Sequence, residues 1–157
     1  MKEISIIGLG NLLLGDEGFG IHLIKHLENQ KLPPEIELVD GGCVGINLVH
    51  FLRDKKAVFL IDVFLEDAPP GTIKLFEWEE LESLPKTKLV SGHQYGVKEA
   101  LSLARFMGIR PPYFRALAAV PASLAPATDL SPPLKEALLQ AEKILFEELS
   151  RLGYKVD

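Results

Sequence analysis

Residues 57–64 read Ala-Val-Phe-Leu-Ile-Asp-Val-Phe, an apolar run broken only by Asp62. A strand with apolar side chains on both faces has no side to turn to water. It belongs in the middle of a sheet that is covered above and below. The rest of the chain supplies such a sheet and its cover. Residues 4–9 form a second short apolar run rich in β-branched side chains, ending in a Gly-Leu-Gly-Asn turn. Residues 16–30 switch to helical spacing, with Ile21, Ile24 and Leu27 on one stripe and Asp16 and Glu17 at its start. Residues 35–40 alternate as a strand that Gly41-Gly42 should stop, and residues 44–54 suit a short helix. Residues 72–76 read as a shorter strand at an edge, and 77–84 as a helical turn. A helix is expected over 94–107 and a last strand over 114–120. An extended loop over 121–133 and a long amphipathic helix over 134–152, closed by Gly153, complete the chain. Alternation of this kind predicts an α/β fold with a mostly parallel sheet, right-handed crossovers and helices on both faces.

Composition narrows the functional classes. The chain has 157 residues, 47% hydrophobic and 25% charged, which suits one ordinary domain over 1–157. Seventeen Lys and Arg against 22 Asp and Glu leave a net charge of −5, so there is no basic footprint for nucleic acid. The single cysteine, Cys43, forms neither an internal disulfide nor a multi-cysteine zinc site, and a reducing, cytoplasmic setting is expected. The apolar stretch 4–14 is well short of the roughly 20 residues of a membrane span, so no membrane insertion is expected. Glu3 and Asp16-Glu17 also spoil it as a signal peptide.

In open α/β sheets ligands sit beyond the carboxyl ends of the strands, where strand order reverses. The polar residues there are Asn11, Asp16 and Glu17 after the first strand, Asp40 at the end of the second, and Asp62 in the third. Ser91-Gly92-His93-Gln94 precede a helix. If the first and third strands are neighbours, Glu17 and Asp62 face one crevice. Asp62 is the most informative, because a carboxylate inside an apolar run is costly unless paired, metal-bound or at a cleft mouth. Asp40 has a plainer reading as the cap of the Gly41-Gly42 turn, and His93 as a helix-start histidine bonded to local backbone. Gly8-x-Gly10 imitates a dinucleotide turn, with Asp40 in the place of the ribose-binding acid. Leu13, however, replaces the third glycine, and Asp16 and Glu17 would repel a pyrophosphate. His22 and His26 lack the Glu of a zinc-protease helix motif and read as the flank of an amphipathic helix. Cys43 reads as a turn residue, and no Gly-x-Ser-x-Gly elbow is present.

Taken in order, these motifs resemble the maturation endopeptidases of nickel–iron hydrogenases. The likeness rests on Gly8-Leu9-Gly10-Asn11 with Asp16-Glu17, on Asp40-Gly41-Gly42, and on Ile61-Asp62 followed by Pro70-Gly71. Ser91-Gly92-His93-Gln94 and the Val120-Pro121-Ala122-Ser123-Leu124 stretch complete it. Cys43 stands where a threonine is common, and Gly92 where a proline is common. The resemblance implies a three-layer α/β sandwich around a small twisted sheet of about five strands. It implies a peptidase that removes the C-terminal extension of a hydrogenase large-subunit precursor once nickel has been inserted. It also implies that Glu17, Asp62 and His93 form a metal-binding set, and it maps the family's Asp-Gly-Gly aspartate to Asp40.

Two carboxylates and an imidazole make an O,O,N set that suits a borderline divalent ion such as Ni²⁺ or Zn²⁺. The expectation is that Glu17, Asp62 and His93 read nickel held by the substrate, with Asp40 as a base or water-positioning group. A resident zinc that activates water is the alternative, although stable zinc sites usually carry more histidine or cysteine. Two further readings share parts of the pattern: a chaperone that binds the nickel-loaded subunit without cutting it, and a nucleotide-dependent oxidoreductase.

Overall fold

The structure, a computed structural model, describes residues 2–42, 45–85, 88 and 96–156, with the backbone alone at Ile46. Five strands form one sheet: β1 (Ile4–Leu9), β2 (Ile36–Gly42), β3 (Ala57–Val63), β4 (Ile73–Phe76) and β5 (Tyr113–Ala119). Their spatial order is β2-β1-β3-β5-β4. The apolar run around Asp62 is therefore the central strand, and every residue of β3 is buried. The first four strands in that order are mutually parallel, and only the short edge strand β4 runs antiparallel to its neighbour β5.

The helices are α1 (Phe19–Leu27), α2 (Val49–Leu52), α3 (Trp78–Ser83), α4 (Val97–Met107) and α5 (Pro132–Arg151). Strand alternation divides the core between the two faces of the sheet. Ile4, Ile6, Phe59, Ile61, Val63 and Leu117 pack with α1 and α5. Ile7, Val58, Leu60, Phe114, Ala116 and Ala118 pack with α2, α3 and α4. A sheet between two helical layers is the expected sandwich. Among the described residues no helix is long and apolar enough to cross a membrane.

Two element boundaries differ from expectation for local reasons. Gly41-Gly42 does not stop β2. The register slips there, Gly8 facing Asp40 but Leu9 facing Gly42, so Gly41 is accommodated as a bulge. The long helix starts at Pro132 rather than at Leu134. Prolines in a first turn lose no hydrogen bond, since those N–H groups have no intrahelical acceptor. The segment 16–30 divides as well. Residues Gly15–Gly18 form a 3₁₀ turn, and the α-helix begins only at Phe19.

Candidate functional site at the strand switch point

The chain leaves β1 for β2 on one side and returns to β3 on the other, so strand order reverses between β1 and β3. Two glycines let α1 lie unusually close over that reversal. A Cβ on Gly20 would fall 2.5 Å from the carbonyl oxygen of Leu9 and 2.6 Å from that of Ile61. A Cβ on Gly8 would fall 2.2 Å from the carbonyl oxygen of Gly20. The first turn of α1 thus rests on the carboxyl ends of both switch-point strands. Glu17 lies three residues before Gly20, and Asp62 follows Ile61 directly. These contacts bring the ends of the two segments carrying Glu17 and Asp62 to one place.

The candidates differ in setting. Asp62 is 2% exposed, between Leu60 and Phe64 on the face covered by α4, and its Oδ1 accepts a hydrogen bond from Val63 N–H at 2.8 Å. Glu17 is half-buried in the 3₁₀ turn. Asp40 is exposed, and its Oδ1 accepts from Gly42 N–H at 3.1 Å, the turn-capping geometry. It faces Gly8 in register, and Gly8 faces Ile61, which separates the Asp40 and Ile61 backbones by about 10 Å at two strand spacings. Alternation also turns Asp40 toward the α1 face, with Leu38, and away from the face of Asp62. His93 and Cys43 lie outside the described residues. Among the described residues no group of three or more His, Cys, Asp or Glu is placed to hold a metal ion, so the proposed set depends on His93 for its third donor.

The glycines near the first strand serve the chain itself. The space a Cβ would fill at Gly10 is taken by the carbonyl oxygen of Glu17, and at Gly8 by Gly20. The backbone approach that a dinucleotide would use is already occupied by helix packing. Just past the ends of β3 and β5 opens a cavity of about 340 Å³, lined by Leu65, Glu66, Asp67, Lys88, Val120 and Pro121.

Comparison with known proteins bears on the fold and the family. Residues 21–148 match the family model for hydrogenase maturation proteases. Over 153 residues the chain is 33% identical to the hydrogenase expression/formation protein HupD of Thiocapsa roseopersicina, covering 96% of this chain and 69% of that one. It is 32% identical over 140 residues to the hydrogenase 2 maturation protease of Escherichia coli, covering 88% and 84% of the two chains. The hydrogenase maturating endopeptidase HybD of E. coli superposes with a TM-score of 0.90 at 30% identity, covering 99% of this chain and 96% of that one.

The chain belongs to the hydrogenase maturation protease family.

Family membership makes it a peptidase and disfavours the oxidoreductase reading. The matched stretch includes Asp40, Asp62 and His93 and begins after Glu17. One residue of this protease stands apart from what its sequence signals. Asp16, in sequence a strand-end acid like Glu17, is 1% exposed and fully engaged. Its Oδ2 accepts from Ala122 N–H at 2.8 Å, Ser123 N–H at 3.2 Å and Ser131 O–H at 2.8 Å. Its Oδ1 accepts from Ser131 N–H at 2.8 Å. The histidines of α1 also differ from a solvated flank. His26 Nε2 lies 2.7 Å from Glu142 of α5, and His22 has a buried Nε2 with no partner among the described residues.

Proposed function

We propose that this protease removes the C-terminal extension from the precursor of a nickel–iron hydrogenase large subunit after nickel insertion. Glu17, Asp62 and His93 would recognise the nickel, which belongs to the substrate. The observation that carries this reading is Gly20 seated on the carbonyls of Leu9 and Ile61, because it brings the Glu17 turn to the end of the strand bearing Asp62. Asp62 points to the face that α4 covers. Two carboxylates brought together repel, and a cation relieves that repulsion. An acid pair of this kind therefore favours a precursor that presents its metal over one that does not. The cavity beside Leu65 and Val120 is adjacent room for a segment of chain.

In peptide hydrolysis a water adds to the scissile carbonyl, and the leaving amine takes up a proton. Asp40 is the proposed base or water-positioning group. Its support is its place in the Asp-Gly-Gly motif, since its Oδ1 also caps the Gly42 turn.

The test is the mass of the precursor before and after incubation with the protein, with and without nickel loading. Loss of the C-terminal extension only from the loaded form is the expected result. Equal cleavage of both forms would remove nickel recognition from the proposal. A stoichiometric zinc in the purified protein, required for cleavage, would favour the resident-metal alternative. Glu17→Gln, Asp62→Asn and His93→Ala should each abolish processing while the chain stays folded. Asp40→Asn should slow it without weakening precursor binding.

A further inference from the structure

Asp16 and the loop that follows β5 are bound to each other more tightly than a turn requires. The four groups donating to the Asp16 carboxylate come from residues 122, 123 and 131, more than 100 positions away in sequence. A helix-cap acid finds its donors within a few residues, so this carboxylate is a long-range clasp. Backbone bonds run alongside it. Asp16 N–H donates to Ser123 C=O at 3.1 Å, Gly15 N–H to Ala127 C=O at 2.9 Å, and Ala127 N–H to Leu13 C=O at 3.0 Å. The loop therefore crosses the 3₁₀ turn as a strap, and the next residue on that turn is Glu17.

We propose that Asp16 is a positioning residue: it locks the 122–131 strap to the Gly15–Gly18 turn and thereby fixes Glu17 at the mouth of the crevice. The inference rests on the reading of Glu17 as part of the processing site. The chemistry is specific to a carboxylate. All four contacts come from N–H or O–H groups, and a carboxylate only accepts. An amide of the same shape must turn its NH₂ toward at least one of those donors in either orientation. Asp16→Asn thus breaks the clasp without leaving a hole.

Hydrogen exchange on the full chain, wild type against Asp16→Asn, tests the coupling directly. The amides of 11–18 and of 121–131 should lose protection together, on the order of tenfold or more, while those of β1 and β3 keep theirs. Ser131→Ala, which removes one donor and opposes nothing to the carboxylate, should loosen both segments to a smaller extent and serves if Asp16→Asn does not fold. Loosening of the strap with the 11–18 turn unchanged would overturn the proposal. On nickel-loaded precursor, Asp16→Asn should raise KM more than it lowers kcat, because Glu17 is read as a contact to the nickel that the substrate carries. It should also add no further loss to the affinity of Glu17→Gln for the loaded precursor, which stays measurable where processing does not, as expected of two residues acting as one unit. Additive losses would overturn it too. A wild-type protein that leaves the loaded precursor intact would instead fail the functional reading, and the exchange comparison would still decide whether strap and turn are coupled.

Discussion

Asp16 and Glu17 are consecutive acids that the fold puts to different uses. One is enclosed by donors, and the other is half-buried in the turn above the reversal of strand order. Nothing local distinguishes them in sequence, because the donors to Asp16 arrive from the loop after the last strand. Asp62 was legible for the opposite reason: its apolar neighbours in the same strand already mark it as an acid that needs an explanation. His22, on the first turn of α1, is a further case. Burial holds its pKa below the usual value of 6.5, against the pull of Asp129, with Lys25 adding to the fall and Asp16 opposing it. A histidine whose folded pKa is depressed stabilises the fold above pH 6.5, and that contribution is lost as pH falls through the folded value. The urea midpoint of wild type should therefore drop faster than that of His22→Gln between pH 7 and pH 5. Parallel curves for the two proteins would show that the imidazole is not buried as described.

At the scale of elements, the approach of α1 to the sheet is set by glycine. Ala is the better helix former by about 1 kcal/mol. The three atoms nearest a methyl on Gly20, however, would all be backbone, Leu9 O at 2.5 Å, Ile61 O at 2.6 Å and Leu9 N at 2.7 Å. Backbone of two strands cannot yield as the end of a flexible side chain can. Overpacking typically costs about 1–3 kcal/mol and occasionally more. Gly20→Ala should be destabilising by roughly 2 kcal/mol net, a fall in Tm of about 4–8 °C for a chain of this size, and should slow processing by lifting the Glu17 turn. An unchanged Tm would mean that α1 stands off the strands. Such approaches are hard to read from sequence, where Gly20 is one residue of an ordinary helical stripe. The strands were legible because their side-chain pattern is itself the cause of their burial. Their alternation with helices gave the parallel sheet and the central place of β3. The bulge at Gly41 and the proline start of α5 were not, since glycine and proline signal a break but not its kind. The neighbourhood of β1 and β3 follows from the crossover rule only once a strand order is assumed.

The molecule as a whole separates holding from acting along the strand axis. The carboxyl ends of β1 and β3 carry the acids of the candidate site, and the amino ends are stitched together. Glu3 N–H donates to Glu35 C=O at 2.8 Å and Lys56 N–H to Glu3 C=O at 2.8 Å, tying the entries of β1, β2 and β3. Lys56 Nζ lies 3.2 Å from Glu3 Oε2, and Tyr154, beyond the end of α5, donates its O–H to Glu3 Oε1 at 2.6 Å. The tail after α5 is thus fastened to the first strand. That bond draws the Glu3 carboxyl below its ordinary range, chiefly through Tyr154 and then Lys56, and pushes Tyr154 up from 10 to about 12. The sign follows from linkage. A phenol whose folded pKa is raised contributes stability that is complete below pH 10 and is lost as pH climbs from 10 toward 12. Wild type should therefore exceed Tyr154→Phe in urea midpoint by a constant margin from neutral pH up to pH 10, and the margin should close above it. Lys56 deprotonates over part of the same range, and comparing the two proteins at each pH cancels most of its effect. Tyrosinate absorbance should show the same bond independently, with one phenol ionising near pH 12 in wild type and missing from the variant. A margin that persists unchanged through pH 12 would place the Tyr154 contribution in its ring packing and not in the bond to Glu3.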